Sequence, residues 1–444
     1  MSEKNIDKEK LNEFKSEKGF LEINNKGNLE FDGYDCTELA DKYDTPVYVI
    51  SEKRIRENYR NISNAFKTIY EATNVSYACK ANPNLNVLKI IKDEGSMAEV
   101  ISTGELFLAK IAGFDGSNIV FNGCNKNRKG IRLAIEMGAL INIDSLQELH
   151  VIAEEAEDLD ETARIAVRVN PVVRTGTLDV WETALEDSKF GVSMKKAFKV
   201  YEKAKSMEKI EIVGIHTHIG SHITNEEPYK IATKRIMDLV VNLKEKLGIN
   251  LEVIDMGGGF PIPFHYQDVP SIDPYAHAIL DTFMENIEKH DLKKPKLILE
   301  PGGSIIGDTS ILLLEVGIIK ENENSNNWAY VDGGANINLR ATQGWYTYQT
   351  VCCNKMKKDN TKTYQIGGPL CYSGDVLGKD RELPPLEEGD LIGMLDCGAY
   401  TMAILNRYNS HPFPAIVLLR ENKPEIIRKR EDYTDLLTGE KFIL

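Results

Sequence analysis

From Val75 onward, short apolar runs rich in Val and Ile alternate with stretches of helical periodicity. The runs are VSYACK (75–80), AEVIS (98–102), IVFNG (119–123), LINID (140–144), IAVRVN (165–170), EIVGIHTHIG (211–220), LEVIDMGGG (251–259) and KLILEPG (296–302). Apolar runs too short for helices, separated by amphipathic segments, predict βαβ units and a parallel sheet. Eight such units over roughly 230 residues match the size of a (β/α)8 barrel. A doubly wound open sheet is the competing architecture. It would more often have fewer strands and a Gly-rich first turn, and no GxGxxG follows the first run.

The flanks are patterned differently. Residues 1–30 are charged and weakly periodic, which predicts a loose or partly helical lead-in. DCTELADKYDTPVYVIS (35–51) predicts a helix with Thr37 as N-cap, then a short strand after Pro46. An amphipathic helix is expected over 52–70. After about residue 303 the runs SILLLEVGIIK, NWAYVDGG, TYQIGGP and DLIGMLDCGAY read as strands with Gly, Pro and Asp between them. They predict a separate, mostly antiparallel β-domain, which the early strand joins. The expected division is residues 1–50 (lead-in and strand), 51–303 (barrel) and 304–444 (β-domain).

Composition narrows the class. The chain has 444 residues, enough for two domains, with 42% hydrophobic and 27% charged residues, as in a globular protein. A net charge of -14 argues against a nucleic-acid or anionic-membrane partner. The polar start and the lack of a long apolar run predict a cytoplasmic protein with no membrane span. The seven cysteines include no CxxC pair, so neither a disulfide framework nor a structural zinc site is expected.

Polar residues gather at the C-terminal ends of the eight runs: Lys80, Glu99, Asn122, Asp144, Arg168, His218, the Gly257–Gly259 triplet and Glu300. In a barrel, loops at that end converge on one mouth, where active sites lie. Lys80 read alone is a lysine reaching solvent past its strand. An amine at a strand end also suits Schiff-base formation, because burial lowers its pKa. GGGF (257–260) is either a tight turn or a phosphate cradle of backbone N–H groups. Lysine and glycines together suggest a phosphorylated aldehyde cofactor. HTHIGSH (216–222) has two readings. His216, His218 and His222 form a metal set of a barrel hydrolase, or His218 packs flat on an aromatic cofactor whose phosphate Gly220 and Ser221 approach. In the second, His216 is an ordinary core histidine. Glu300, in EPGG, can pair with a protonated ring nitrogen. Two charges about 4 Å apart interact by roughly 4 kcal/mol at an effective dielectric of 20. Cys371, between glycine-rich turns, is a proton donor or a small packing residue.

TPVYVIS, SYACKANPN, VISTGEL, NGCNK, RVNP, SKFG, HTHIGSH, DMGGGF, EPGG, VDGGANINLR, GGPLCYSGD and DCGAYT occur in this order along nearly the whole chain. In that series the chain resembles the fold-type III pyridoxal-phosphate decarboxylases, most closely the branch that converts meso-diaminopimelate to lysine. The resemblance implies pyridoxal 5'-phosphate held by Lys80, with His218 on its ring and Glu300 at its nitrogen. Gly257, Gly258, Gly259, Ser221 and Tyr400 would hold the phosphate, Arg340 a substrate carboxylate, and Cys371 of a partner subunit would lie near the substrate α-carbon. A homodimer with shared active sites is therefore expected. The pattern departs where substrate is recognised. Gly303 replaces an expected arginine, Tyr372 an expected glutamate, and Gly344, followed by Trp345 and Tyr346, stands where a tyrosine is expected. A phenol cannot replace a carboxylate paired to an ammonium. The second expected substrate is thus another amino acid or a conjugate. A metal-dependent hydrolase and an inactive cofactor-binding regulator are the readings from other classes.

Overall fold

The computed structural model describes residues 20–262, 270–323, 325–344, 346–421 and 423–441. Most of the expected lead-in and Trp345 lie outside the described residues. The chain divides into two units. One runs from Arg56 to Ile262 and continues to Ile305; the other contains the residues up to Ile55 and those from Ile306 on.

The first unit is a closed barrel. Its strands are β1 (Thr73–Ala78), β2 (Met97–Val100), β3 (Ile119–Phe121), β4 (Leu140–Ile143), β5 (Ala163–Asn170), β6 (Ile210–His216), β7 (Val253–Asp255) and β8 (Lys296–Leu299). Each pairs in parallel with the next, and β8 pairs with β1. The eight apolar runs therefore form the eight strands. They are rich in Val, Ile, Leu and Ala because both faces are covered. Met97, Val120, Leu140, Ala166, Val213, Val253 and Ile298 form one buried cluster from seven of the strands. The loops leaving the first four strands are short and pinned. Asn84, Ser102, Asn127 and Ser145 each cap the following helix by accepting a backbone N–H. Caps of this kind contribute about 1 kcal/mol each, and they fix the strand ends beside them. Strand β6 carries a register shift between Ile212 and Gly214. A bulge re-aims the side chains that follow it, here those leading to His216.

In the second unit, the strand Val47–Ser51 lies between Ser310–Lys320, antiparallel to it, and Ala415–Leu419, parallel to it. The sheet is otherwise antiparallel, except that Asn327–Val331 and Lys362–Gly367 also run parallel. Val47, Val49, Ile311, Leu313, Cys353, Leu391 and Val417 are part of its core. The fully buried Tyr48 hydroxyl donates to the Ile337 carbonyl at 2.7 Å. The helix Cys36–Tyr43 is capped by Asp35, not Thr37. Asp35 accepts from the Thr37 N–H, and the Thr37 hydroxyl donates to the same oxygen. Among the described residues, no helix is long and apolar enough to cross a membrane.

Candidate active site

The chain leaves β1 into a single 3-10 turn, Cys79–Ala81, which carries Lys80 just past the strand. Its ammonium donates to Glu99 Oε2 at 2.7 Å, and the Glu99 side chain is 1% exposed. From there one hydrogen-bonded chain crosses the barrel end. Asn122 Nδ2 donates to Glu99 Oε1 at 3.0 Å and to Glu300 Oε1 at 2.7 Å. Asn142 Nδ2 donates to Asn122 Oδ1 at 2.7 Å, which fixes the Asn122 amide orientation. On the far oxygen of Glu300, His216 Nε2 lies at 3.1 Å. Five strands, β1 to β4 and β6, are thereby linked to Glu300 at the end of β8, as the mouth geometry of a barrel demands.

The electrostatics sort these groups. Burial pushes the Glu300 carboxyl up, but His216, Lys80 and His218 outweigh it and bring it down to about 2. Asp255 on β7 is fully buried, and burial together with the Glu300 charge holds its pKa well above the ordinary carboxyl range. One of two neighbouring buried carboxyls keeps its proton, since both cannot ionise in a dry site. Here Glu300 is ionised and Asp255 protonated. Burial, then Arg168 and Lys80, push His218 down to about 3. The imidazole is neutral, and because the Gly258 N–H donates to its Nδ1 at 3.2 Å, its own proton sits on Nε2.

His216 and His218 do not share a strand face. Strand β6 ends at His216, and His218 lies in the following loop. His216 turns to Glu300. Among the described residues, the imidazole and carboxyl groups that converge, within 4.8 Å of one another, are His216, Asp255 and Glu300. The three histidines of the hydrolase reading do not come together. His222 instead sets its ring edge-on to Trp181, 5.8 Å between centres. His216 was expected to be an ordinary core histidine, and Asp255 was not singled out. A charged residue inside the apolar run LEVIDM was the available signal.

The glycine triplet is tighter than a turn requires. A Cβ on Gly258 would stand 2.1 Å from the Glu300 carbonyl oxygen, and one on Gly259 2.2 Å from that of Gly220. The Gly257 N–H is spent on Asp255 Oδ1 at 2.9 Å and that of Gly258 on His218. The Gly259 N–H has no protein partner among the described residues. The Ser221 N–H donates to the Trp181 carbonyl at 3.0 Å. Gly303 opens the short helix Gly303–Ile306 and is half-buried. An amine, an ionised carboxylate and a neutral imidazole thus gather at one barrel end, the donor set that a pyridoxal ring requires.

The remaining expected site residues belong to the second unit. Arg340 is buried, its guanidinium 3.1 Å from the Tyr346 ring centre and 4.8 Å from that of Tyr400, and it donates to the Ala399 carbonyl at 3.3 Å. Tyr400 has a positive φ of 56°, an uncommon conformation for a residue with a side chain. Cys371 is exposed; its N–H donates to Asn409 Oδ1 at 2.8 Å, and the Tyr408 hydroxyl donates to its carbonyl at 3.3 Å. Tyr372 is half-exposed.

Comparison with known proteins agrees with this geometry. Residues 52–307 match the family described as "Pyridoxal-dependent decarboxylase, pyridoxal binding domain". The chain is 41% identical over 422 residues to the diaminopimelate decarboxylase of Methanothermobacter thermautotrophicus, covering 95% of this chain and 97% of that one. It is similar to the crystal structure of diaminopimelate decarboxylase from M. jannaschii, with a TM-score of 0.90, 38% identity, and 96% and 98% of the two chains covered. The same enzyme in complex with L-lysine gives a TM-score of 0.89 at 38% identity, over 95% and 98%. From its barrel, its strand-end lysine and carboxylate, and these matches, the chain belongs to the pyridoxal-dependent decarboxylases.

Proposed function

We propose that the chain decarboxylates meso-diaminopimelate to lysine and CO2, using pyridoxal 5'-phosphate held at the barrel mouth. One observation carries this: Lys80 and Glu300 are linked through Glu99 and Asn122 in a single hydrogen-bonded chain. Lys80 holds the cofactor through its amine, and Glu99 fixes where that amine stands. Glu300, ionised, stands at the ring nitrogen. His218, being neutral, covers a ring face without opposing positive charge. The Gly259 N–H, the Ser221 hydroxyl and Tyr400 serve the phosphate, and Gly257 and Gly258 act by letting the backbone pack closely. The bound cofactor supplies an electron sink for the pair left when the carboxylate departs. Cys371 holds the proton for the α-carbon, and Arg340 grips the distal carboxylate.

Cys371 and Tyr372 are exposed on the single chain, which suits a homodimer in which they complete a partner's site. The acidic composition suits a cytoplasmic enzyme. The alternative substrate, an amino acid or conjugate with no free distal amino-carboxylate, rests on the neutral phenol of Tyr372 and the missing side chain of Gly303. The test is CO2 release from diaminopimelate, lysine, ornithine and arginine by the cofactor-loaded protein. Turnover of diaminopimelate alone is expected, and its absence overturns the substrate assignment. Lys80→Ala is expected to abolish the visible band of lysine-bound cofactor; a retained band removes Lys80 from its role.

A further inference from the structure

Glu300 is held at both oxygens, by Asn122 on one and His216 on the other. Behind it, two polar atoms are sealed from solvent with no hydrogen-bond partner: His216 Nδ1 and Asp255 Oδ2. They belong to register partners on β6 and β7, and both residues are 0% exposed. Natural cores rarely leave such atoms unpaired, since each costs free energy to desolvate. The other oxygen of Asp255 accepts the Gly257 N–H. Two carboxyls and an imidazole thus meet beneath the mouth, while the other titratable groups near Glu300 are Lys80, Glu99, Arg168 and the neutral His218 around it.

We propose that His216 and Asp255 are positioning residues for Glu300: His216 donates its Nε2 proton to fix the direction of the carboxylate, and Asp255 backs it as a neutral acid. This rests on the reading that Glu300 faces the cofactor's ring nitrogen. A carboxylate that must hold a proton on a ring has to be ionised, correctly turned and free of competing negative charge. His216 supplies the first two conditions. A neutral Asp255 supplies the third, and it anchors the Gly257 turn by its second oxygen. Neither residue reaches the reacting atoms; both act through Glu300, as second-layer partners act through a metal ligand.

The test uses cofactor labelled with 15N at the ring nitrogen, bound to the full-length protein. NMR of that nitrogen reads its protonation directly, apart from turnover. In the wild type it is expected to be protonated. In His216→Leu an unprotonated fraction is expected, with kcat lowered about 10- to 100-fold, the scale of one hydrogen bond to a charged group. His216→Gln, which restores a donor of similar reach, is expected to recover the protonated signal. Asp255→Asn, which reproduces a neutral Asp255, is expected to keep that signal. An unchanged nitrogen signal in a folded, cofactor-bound His216→Leu overturns the proposal for His216. If that variant does not fold, His216→Asn, polar but too short to reach Glu300, decides in its place by the same signal. Loss of the protonated signal in Asp255→Asn overturns the proposal for Asp255. Glu300→Gln separates the two levels. If it also leaves the nitrogen protonated, the parent reading of Glu300 has failed; if it alone deprotonates the nitrogen, only the present inference has.

Discussion

Acid exposes the state of His218. In the folded chain its imidazole titrates near 3, against 6.5 for an ordinary histidine, because desolvation and then Arg168 and Lys80 disfavour its charge. Between those two values the unfolded chain takes up a proton that the folded chain refuses. The stabilising contribution is therefore complete above pH 6.5 and is lost as pH falls towards 3. The full loss is about 5 kcal/mol, and about 3 kcal/mol of it is spent by pH 4. Glu300 acts in the same direction at lower pH, losing its contribution as pH falls from 4.5 through about 2. Asp255, whose folded pKa is raised, opposes both. The perturbation that isolates His218 is His218→Asn, whose amide oxygen can accept the Gly258 N–H in place of Nδ1. Urea unfolding of the cofactor-free protein, followed by tryptophan fluorescence at pH 7, 5.5 and 4, gives the stability of each form. From pH 7 to pH 4 the wild type is expected to lose about 3 kcal/mol more than the variant. Parallel losses in the two proteins would refute a neutral, desolvated His218. They would also remove the physical reason for placing it against a positively charged ring.

Other expectations follow from individual contacts. The Lys126 side chain is fully buried, with the Gly123 and Asn142 carbonyls each at 2.7 Å and Glu148 at 3.2 Å. Lys126→Met strands the Glu148 charge, so a loss of about 3–5 kcal/mol is expected, read as a lower Tm. Gly258→Ala places a methyl group 2.1 Å from the Glu300 carbonyl oxygen. Loss of cofactor binding is expected, measured by equilibrium dialysis, and binding at wild-type affinity contradicts the close packing. Arg340→Lys exchanges a planar cation stacked on Tyr346 for a compact one. A rise in KM of about tenfold or more is expected, from loss of a paired charged hydrogen bond, with an unchanged cofactor spectrum.

Much of the barrel was legible because its signals are local. The strands are short apolar runs, the helices after the first four strands each carry a side-chain cap, and each strand end carries its own polar or glycine residue. Lys80 and Glu300 stood out as candidates for that reason. What escaped depended on partners distant in sequence. His216 looked like the strand neighbour of His218. The strand stops at His216 after a bulge, and the two rings go to different partners. Asp255 reads as one acid before a glycine turn until Glu300 arrives from another strand to hold it protonated. The glycine triplet looked like an anion cradle, but two of its N–H groups are spent inside the protein. The parallel pairing of Val47–Ser51 with Ala415–Leu419 has no local signature, since neither strand's pattern names its neighbour.

That pairing also has a consequence during synthesis. The strand Val47–Ser51 is fully buried in the finished sheet, yet its flanking strands are made about 260 and 365 residues later. At about 5–20 residues per second, it waits roughly 13–50 s for its first neighbour and longer for its second. Throughout that time both of its edges are open templates for another chain. The barrel can close within this interval, whereas the sheet cannot, so the vulnerable species on the ribosome is one with a folded barrel and an apolar VYVI ribbon trailing from its start.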